Sequence, residues 1–473
     1  MFPRTKIVAT LGPATRTPEA IRALIDVGVS CFRINFAHGD PGFWRELVDI
    51  VRDVEASTGR HVGLMGDLAG PSVRVGSMPK GFKVLPGERL TLRYAEAVDD
   101  PEARVVPVPV RQFFDALEEG DEVVADDGRL RLRILSVKGY EAEAEALTES
   151  VVSPRKALVV RGKDVNLPAI TSRDIDALKF AVDSGFDIVS LSYVRSRDDV
   201  RTLHELLKLE GSDALVASKI ETVQAVRDLR KIVQESDVVV VARGDLGMNF
   251  RLEEVPFLQE EIVSTARSLG KPVVLATQVL ESMMESPVPT RAEVNDVATA
   301  VRQGVDAIML TGETAVGKYP VEAVKWLRRV IQRAESMYRP QRVPEATTSY
   351  AWSIVDVAER NGACCILAYS MRGTLPPQLA AARPGPRVIV GVPSARLARR
   401  FSVYWGIETW VVPAKSYDEG LRRLEEEACA RGELSPGDVI VSSYTVGFES
   451  LLFIKRIYRC PLSGASARGG GEG

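Results

Sequence analysis

Short apolar runs that end in polar side chains recur along the first two thirds of the chain. Each is followed by a stretch of helical periodicity. The runs are KIVAT (6–10), CFRIN (31–35), VGLMGD (62–67), DIVSLS (187–192), LVASKI (215–220), VVVVARGD (238–245), VVLAT (273–277) and AIMLTGE (307–313). Helical patterns follow at 18–27, 41–57, 172–184, 196–209, 222–235, 254–269, 291–303 and 320–338. This is the spacing of successive βα units. The runs are too continuously apolar to be half exposed, which predicts a parallel sheet covered by helices.

Eight such units fit an α/β fold of the (β/α)8 TIM barrel type, although a doubly wound open sheet can also hold eight. The polar residues favour the barrel. Thr10, Arg33 with Asn35, Asp67, Ser192, Lys219 with Glu221, Arg243 with Asp245, Thr277, and Thr311 with Glu313 stand at the strand ends. A barrel brings all such ends to one site, whereas an open sheet gathers its ligand groups mainly at the switch point.

Two segments break the pattern. Residues 76–166 carry short alternating runs divided by Pro and Gly, with ADDGRL as a hairpin signal, and read as a small β-barrel lid inserted in the barrel. After the proline-containing RPQRVPEATTS come ACCILAY, RVIVGVP, ETWVVP and DVIVSSY, alternating with helical segments. The expected division is 1–75 and 167–338 for the barrel, 76–166 for the lid, and 339–473 for a C-terminal α/β domain.

Composition adds exclusions. The 473 residues are 45% hydrophobic and 26% charged, with 61 Lys and Arg against 64 Asp and Glu, a net charge of −3. No nucleic-acid or membrane partner is expected from that balance, and no run is long enough to span a bilayer. Five cysteines, at 31, 364, 365, 429 and 460, make no CxxC and suit a reducing cytoplasm. The glycine-rich end GASARGGGEG reads as a disordered tail.

The strongest chemistry lies at two neighbouring strand ends. Lys219 and Glu221 are two residues apart, as are Arg243 and Asp245, so each pair is expected on one side of its strand. Two carboxylates with oxygen chemistry suit Mg²⁺, which completes its shell with phosphate and water. Lys219 and Arg33 would then neutralise phosphate oxygens, the requirement of phosphoryl transfer. Any one such pair is more often a surface salt bridge of little consequence; two on adjacent strands tilt the balance. His38 and His61 lack the partners of a zinc site.

The motifs RTKIVATLGPAT, RINFAHG, SKIET, ARGDLGM, ATQVLESM, PTRAEVNDVATAV and IMLTGETAVGKYPVEAV, in that order over Arg4–Val324, resemble the pyruvate kinase family. The resemblance implies phosphoryl transfer from phosphoenolpyruvate to ADP, giving pyruvate and ATP, in a cytoplasmic homotetramer with Mg²⁺ (or Mn²⁺). It implies that Lys219 and Arg33 hold the phosphoryl group, Glu221 and Asp245 bind the divalent ion, and Thr277 lies near the carbon that is protonated. Gly244 and Asp245 match the turn that receives the substrate carboxylate; Arg74, Lys163, Asn35 and His38 match the nucleotide side. In YSMRGT, Ser370, Arg372, Gly373 and Thr374 match a loop that cradles an effector phosphate, although an ordinary turn before a helix has the same pattern. Another phosphoenolpyruvate- or pyruvate-using barrel, or a non-catalytic metabolite sensor, are the competing readings.

One departure concerns K⁺. Many members hold it with an Asn, a Ser and an Asp; here Asn35 and Asp67 remain but position 37 is Ala. The family's DTKGPEIRTG is DLAGPSVRVG here, while members independent of K⁺ carry DLQGPKIRVG, with a lysine where this chain has Ser72. The expectation is turnover that does not require K⁺.

Overall fold

The computed structural model describes residues 3–100, 102–126, 128–339, 341–446 and 449–457. Eight strands, Lys6–Thr10, Cys31–Asn35, Gly63–Asp67, Ile188–Leu191, Leu215–Ile220, Val238–Ala242, Val273–Ala276 and Ala307–Leu310, close in chain order into a parallel barrel. The first strand pairs with both the second and the eighth, which excludes the open sheet. Capping residues set the helix starts. Thr17 accepts a hydrogen bond from Ala20 N–H (3.2 Å) ahead of helix Pro18–Val27, and Gly28 ends it in the left-handed region at φ +115°.

Alternation along each strand sorts the side chains. Ile7, Phe32, Leu64, Val189 and Val216 face the helices, whereas Val8, Cys31, Met65, Ile188 and Ala217 fill the barrel interior. The inward row is apolar at the start of each strand and turns polar at the end of the first five, while in the last three the polar residues follow just past the strand. That switch makes the C-terminal mouth reactive while the base stays a packed core.

The strands lie where the apolar runs predicted them, except at VVVVARGD and at AIMLTGE, where the eighth strand stops at Leu310 and Gly312–Ala315 is a short helix. The sixth strand stops at Ala242, and Arg243–Asn249 is a helix. The helical stretch at 222–235 is two helices, Val223–Arg227 and Leu229–Glu235, separated at Asp228.

The insert after the third strand forms a six-stranded sheet, with a separate two-stranded ribbon of Phe82–Val84 and Ser150–Val152. Its hydrogen bonding does not close into the small barrel expected. The edge strands Val105–Pro107 and Leu158–Val160 are three residues long, and Pro107 has no N–H to donate. The second edge runs instead beside the hinge, where Arg74 bridges Ala157.

The C-terminal sheet runs Ile407–Val411, Arg387–Val392, Cys365–Tyr369, Val439–Val446 and Glu449–Arg456, the last pair antiparallel. The last of these strands was not legible in the sequence. This domain packs on the base of the barrel, away from the reactive mouth. Arg383 makes a two-point ion pair with Asp306 (2.8 and 2.8 Å), the residue just before the eighth strand. Arg399 reaches Asp187 and Glu55 (both 3.3 Å). Cys460 and the glycine-rich tail lie outside the described residues.

Candidate active site

The barrel mouth and the lid enclose a cavity of about 420 Å³ lined by Arg33, Asn35, His38, Asp67, Arg74, Lys219, Asp245 and Thr277, among others. Of the residues expected at the site, these come together from five of the strand ends and from the hinge. Glu221 lies directly behind Lys219, fully buried.

Lys219 anchors the cluster. Its Nζ donates to Ser192 Oγ (2.9 Å) and lies 3.3 Å from Glu221 Oε2 and 4.0 Å from Asp67 Oδ2. Burial would lower its pKa, but Asp67, Glu221 and Asp245 more than offset that and hold the ammonium above its usual value. Arg33 donates from Nε to Asp67 Oδ2 (2.9 Å) and from a second nitrogen to the same oxygen, and Nη1 reaches Thr10 Oγ1 (3.3 Å). Burial would raise Asp67, yet Lys219 and Arg33 keep its carboxyl below the usual range.

The carboxylates fit a divalent cation. Glu221 Oε1 accepts from Tyr193 N–H (2.6 Å), whereas Oε2 is buried with no hydrogen-bond partner among the described residues. Burial pushes this carboxyl up to about 8, Asp245 adds to the shift, and Lys219 opposes it. An oxygen with an ion-pair neighbour in Lys219 but no hydrogen bond, beside a second carboxylate, is one that a hard cation would satisfy. No group of three or more His, Cys, Asp or Glu suited to a metal occurs among the described residues; an ion held by two carboxylates would complete its shell with substrate oxygens and water.

Arg243 departs from expectation. In the helix it no longer shares a side with Asp245, because residues two apart on a helix diverge. It is buried behind the site and donates to Thr277 O from Nε (3.2 Å) and Nη2 (3.0 Å), and to Gln278 O (2.7 Å). Its Nη1 meets Asp296 (2.5 Å). These bonds hold two consecutive non-glycine residues at positive φ, Thr277 at +66° and Gln278 at +52°. Thr277 Oγ1 is fixed in turn, accepting from Gly244 N–H (2.8 Å) and donating to Ala276 O (2.7 Å).

Asn35 Oδ1 accepts from Ala37 N–H (3.0 Å), and Arg173 donates to the carbonyls of Phe36 (3.1 Å) and Ala37 (3.2 Å). Burial, together with Arg74, Arg33 and Arg173, lowers the pKa of His38. Arg74 donates to Ser72 Oγ (3.0 Å) and Arg155 O (3.1 Å) at the hinge. Lys163 is not brought to the cavity; its Nζ is shared by Glu118 (2.6 Å) and Asp121 (2.9 Å). Thr311 and Glu313 are structural, since the buried Glu313 accepts from Leu280 N–H (2.9 Å) and Thr311 N–H (2.8 Å). Sequence reasoning missed Tyr193, Arg155 and Lys156, which also line the cavity. SYVR continues a polar strand end and could have pointed to Tyr193; nothing local marks the lid pair.

In the C-terminal domain, buried Ser370 accepts from Gly373 N–H (3.1 Å), Gly373 is at φ +79°, and Arg372 and Thr374 are exposed.

The family description "Pyruvate kinase, barrel domain" matches residues 2–324, and "Pyruvate kinase, alpha/beta domain" matches 348–450. The pyruvate kinase of Pyrobaculum aerophilum is 41% identical over 427 residues, 89% of this chain and 91% of its own. That of Aeropyrum pernix is 38% identical over 458 residues, covering 96% and 98%. The crystal structure of the Pyrobaculum aerophilum enzyme superposes with a TM-score of 0.85 at 38% identity, covering 96% of this chain and 99% of that one. A pyruvate kinase structure from Cryptosporidium parvum gives 0.89 at 29% identity, covering 97% and 96%. Matched over nearly its whole length in sequence and in fold, the chain belongs to the pyruvate kinase family, phosphotransferases that pass the phosphoryl group of phosphoenolpyruvate to ADP.

Proposed function

We propose that phosphoenolpyruvate sits with its phosphoryl group between Arg33 and Lys219, its carboxylate at Gly244–Asp245, and its enol carbon beside Thr277. The observation that carries this is convergence: cations from the second and fifth strands, a carboxylate after the sixth and a fixed hydroxyl after the seventh line one cavity. Glu221 and Asp245 would hold the divalent ion, Mg²⁺ (or Mn²⁺), whose bound charge stabilises the phosphoryl and enolate oxygens. A terminal oxygen of ADP attacks phosphorus, the bond to the enol oxygen breaks, and a proton joins the methylene carbon to give pyruvate. Arg33 and Lys219 supply positive charge along that path from a site where both are largely buried. Arg74, Asn35 and His38 lie on the nucleotide side. A coupled assay with phosphoenolpyruvate and ADP tests the reading; pyruvate released without equimolar ATP would sink it.

The monovalent position supports turnover without K⁺. Ala37 offers a methyl where a hydroxyl would be a ligand, Asn35 Oδ1 is engaged by Ala37 N–H, and one Asp67 oxygen is engaged by Arg33. Assay with tetramethylammonium as the only monovalent cation decides it: near-zero activity restored by K⁺ refutes the reading.

The wider proposals follow the family: division at 75/76, 166/167 and 338/339, a cytoplasmic homotetramer, and an effector phosphate at Ser370–Thr374. Exposed Arg372 and Thr374 suit the last. Sedimentation equilibrium checks the assembly, and loss of effector response in Arg372→Ala checks the loop.

A further inference from the structure

The lid carries two cations to the cavity that no motif singled out. Arg155 and Lys156 occupy the turn between Ser150–Val152 and Leu158–Val160, and both line the cavity that holds Arg33, Lys219 and Asp245. Five cations and three carboxylates line that space, an excess that suits a polyanion.

The turn is no loose flap. Arg155 N–H donates to Val75 O (2.9 Å), Val75 N–H to Lys156 O (2.8 Å), and Leu158 N–H to Val73 O (2.9 Å). These bonds tie it to the segment where the chain leaves the barrel, and Arg74 adds a bond to Arg155 O (3.1 Å). Arg155 is held at φ +67°, which a non-glycine residue adopts only when its surroundings impose it. Lys156 Nζ pairs with Asp126 (2.7 Å) from the hairpin across the lid, itself at φ +50°. Half of the lysine side chain is exposed, so this pair is weak and exchangeable. The Arg155 guanidinium has no carboxylate partner among the described residues. Lys163, by contrast, is matched by two carboxylates and lines a separate small cleft with Asp164 and Arg195.

We propose that Arg155 and Lys156 are further contacts of the lid to the nucleotide polyphosphate. Asp126 is the counter-ion that Lys156 exchanges for a phosphate oxygen. This rests on the reading of the cavity as a phosphoenolpyruvate:ADP site. The bonds to Val73 and Val75 and the Arg74 contact set both charges beside Arg74 on the nucleotide side.

Calorimetric titration with ADP, in the absence of phosphoenolpyruvate, tests the assignment on the full chain. Lys156→Ala and Arg155→Ala are each expected to raise the ADP dissociation constant by about tenfold, the loss of one charge-assisted contact. The KM for ADP should rise in parallel, with the KM for phosphoenolpyruvate within about twofold of the parent, and Lys156→Arg should recover most of the affinity. Unchanged ADP affinity in both lid variants overturns the proposal. A parent protein that binds ADP through Lys156 yet makes no pyruvate would instead overturn the reading of the reaction.

Discussion

Arg243→Lys keeps a positive charge behind the seventh strand but removes the planar fork. The guanidinium spans four acceptors at once, with bonds of 3.2 and 3.0 Å to Thr277 O, 2.7 Å to Gln278 O, 2.5 Å to Asp296 and 3.4 Å to Gln259. A single ammonium cannot reach both the loop carbonyls and Asp296. Thr277 and Gln278 each hold a left-handed backbone, at about 1–3 kcal/mol of strain apiece. Hydrogen bonds to a charged group contribute about 1.5–3 kcal/mol each. Losing two of the three carbonyl bonds therefore removes about 3–6 kcal/mol of support, enough to offset the strain of both residues. Relaxation of the loop recovers part of it, so a net loss of about 2–3 kcal/mol is expected in urea unfolding. Displacing the Thr277 hydroxyl should lower kcat by about 10- to 100-fold, as misplacement of a reacting group does. If Arg243 acts through Thr277, the double variant with Thr277→Ala turns over no more slowly than Thr277→Ala alone. Parental kcat in Arg243→Lys, or fully additive losses in the double variant, would refute the clamp.

Lys219→Met should keep the parental far-UV circular dichroism while pyruvate formation falls by at least about 100-fold; near-normal turnover would remove the central assignment. A Cβ on Gly63 would lie 2.1 Å from Ser402 Oγ and 2.8 Å from its Cβ. Gly63→Ala should therefore destabilise the contact between barrel and C-terminal domain by about 1–3 kcal/mol, with recovery in the Ser402→Gly background as the check. Burial lowers the Lys6 pKa to about 8, against the pull of Glu408 and Glu335, with its Nζ donating to Ile407 O (2.6 Å). The unfolded chain keeps the ordinary value and so holds more protons between there and pH 8, which makes the native state gain stability as pH rises through that window. In Lys6→Met that gain should vanish, so any excess stability of the variant over the parent shrinks from pH 8 to 10; a constant difference in unfolding midpoint would contradict it.

Much of the site was legible because a strand imposes its own geometry. Cys31, Arg33 and Asn35 share a parity, as do Ala217 and Lys219, so apolar residues at a strand's start and polar ones at its end already describe a barrel interior that opens into a reactive mouth. The rule lapses where the strand does. Carried past Ala242, it placed Arg243 beside Asp245, whereas the helix that begins there turns the arginine behind Thr277. Glu313 failed likewise, three residues beyond its strand, and became a loop anchor. The lid was legible only as β structure, because its closure depends on which short edges can find a partner.

The sequence alone determined the eight βα units, the insert, the C-terminal domain and the identity of the groups at the strand ends. Those features depend on periodicity and on motifs that span a few residues. Only the tertiary structure decided which cations face the cavity. Lys163 points to Glu118 and Asp121 outside it, while Arg155 and Lys156, bonded to the segment that leaves the barrel, line it with Lys219. A lysine's charge is written in the chain, but whether it is free to meet a phosphate depends on carboxylates that approach it only on folding.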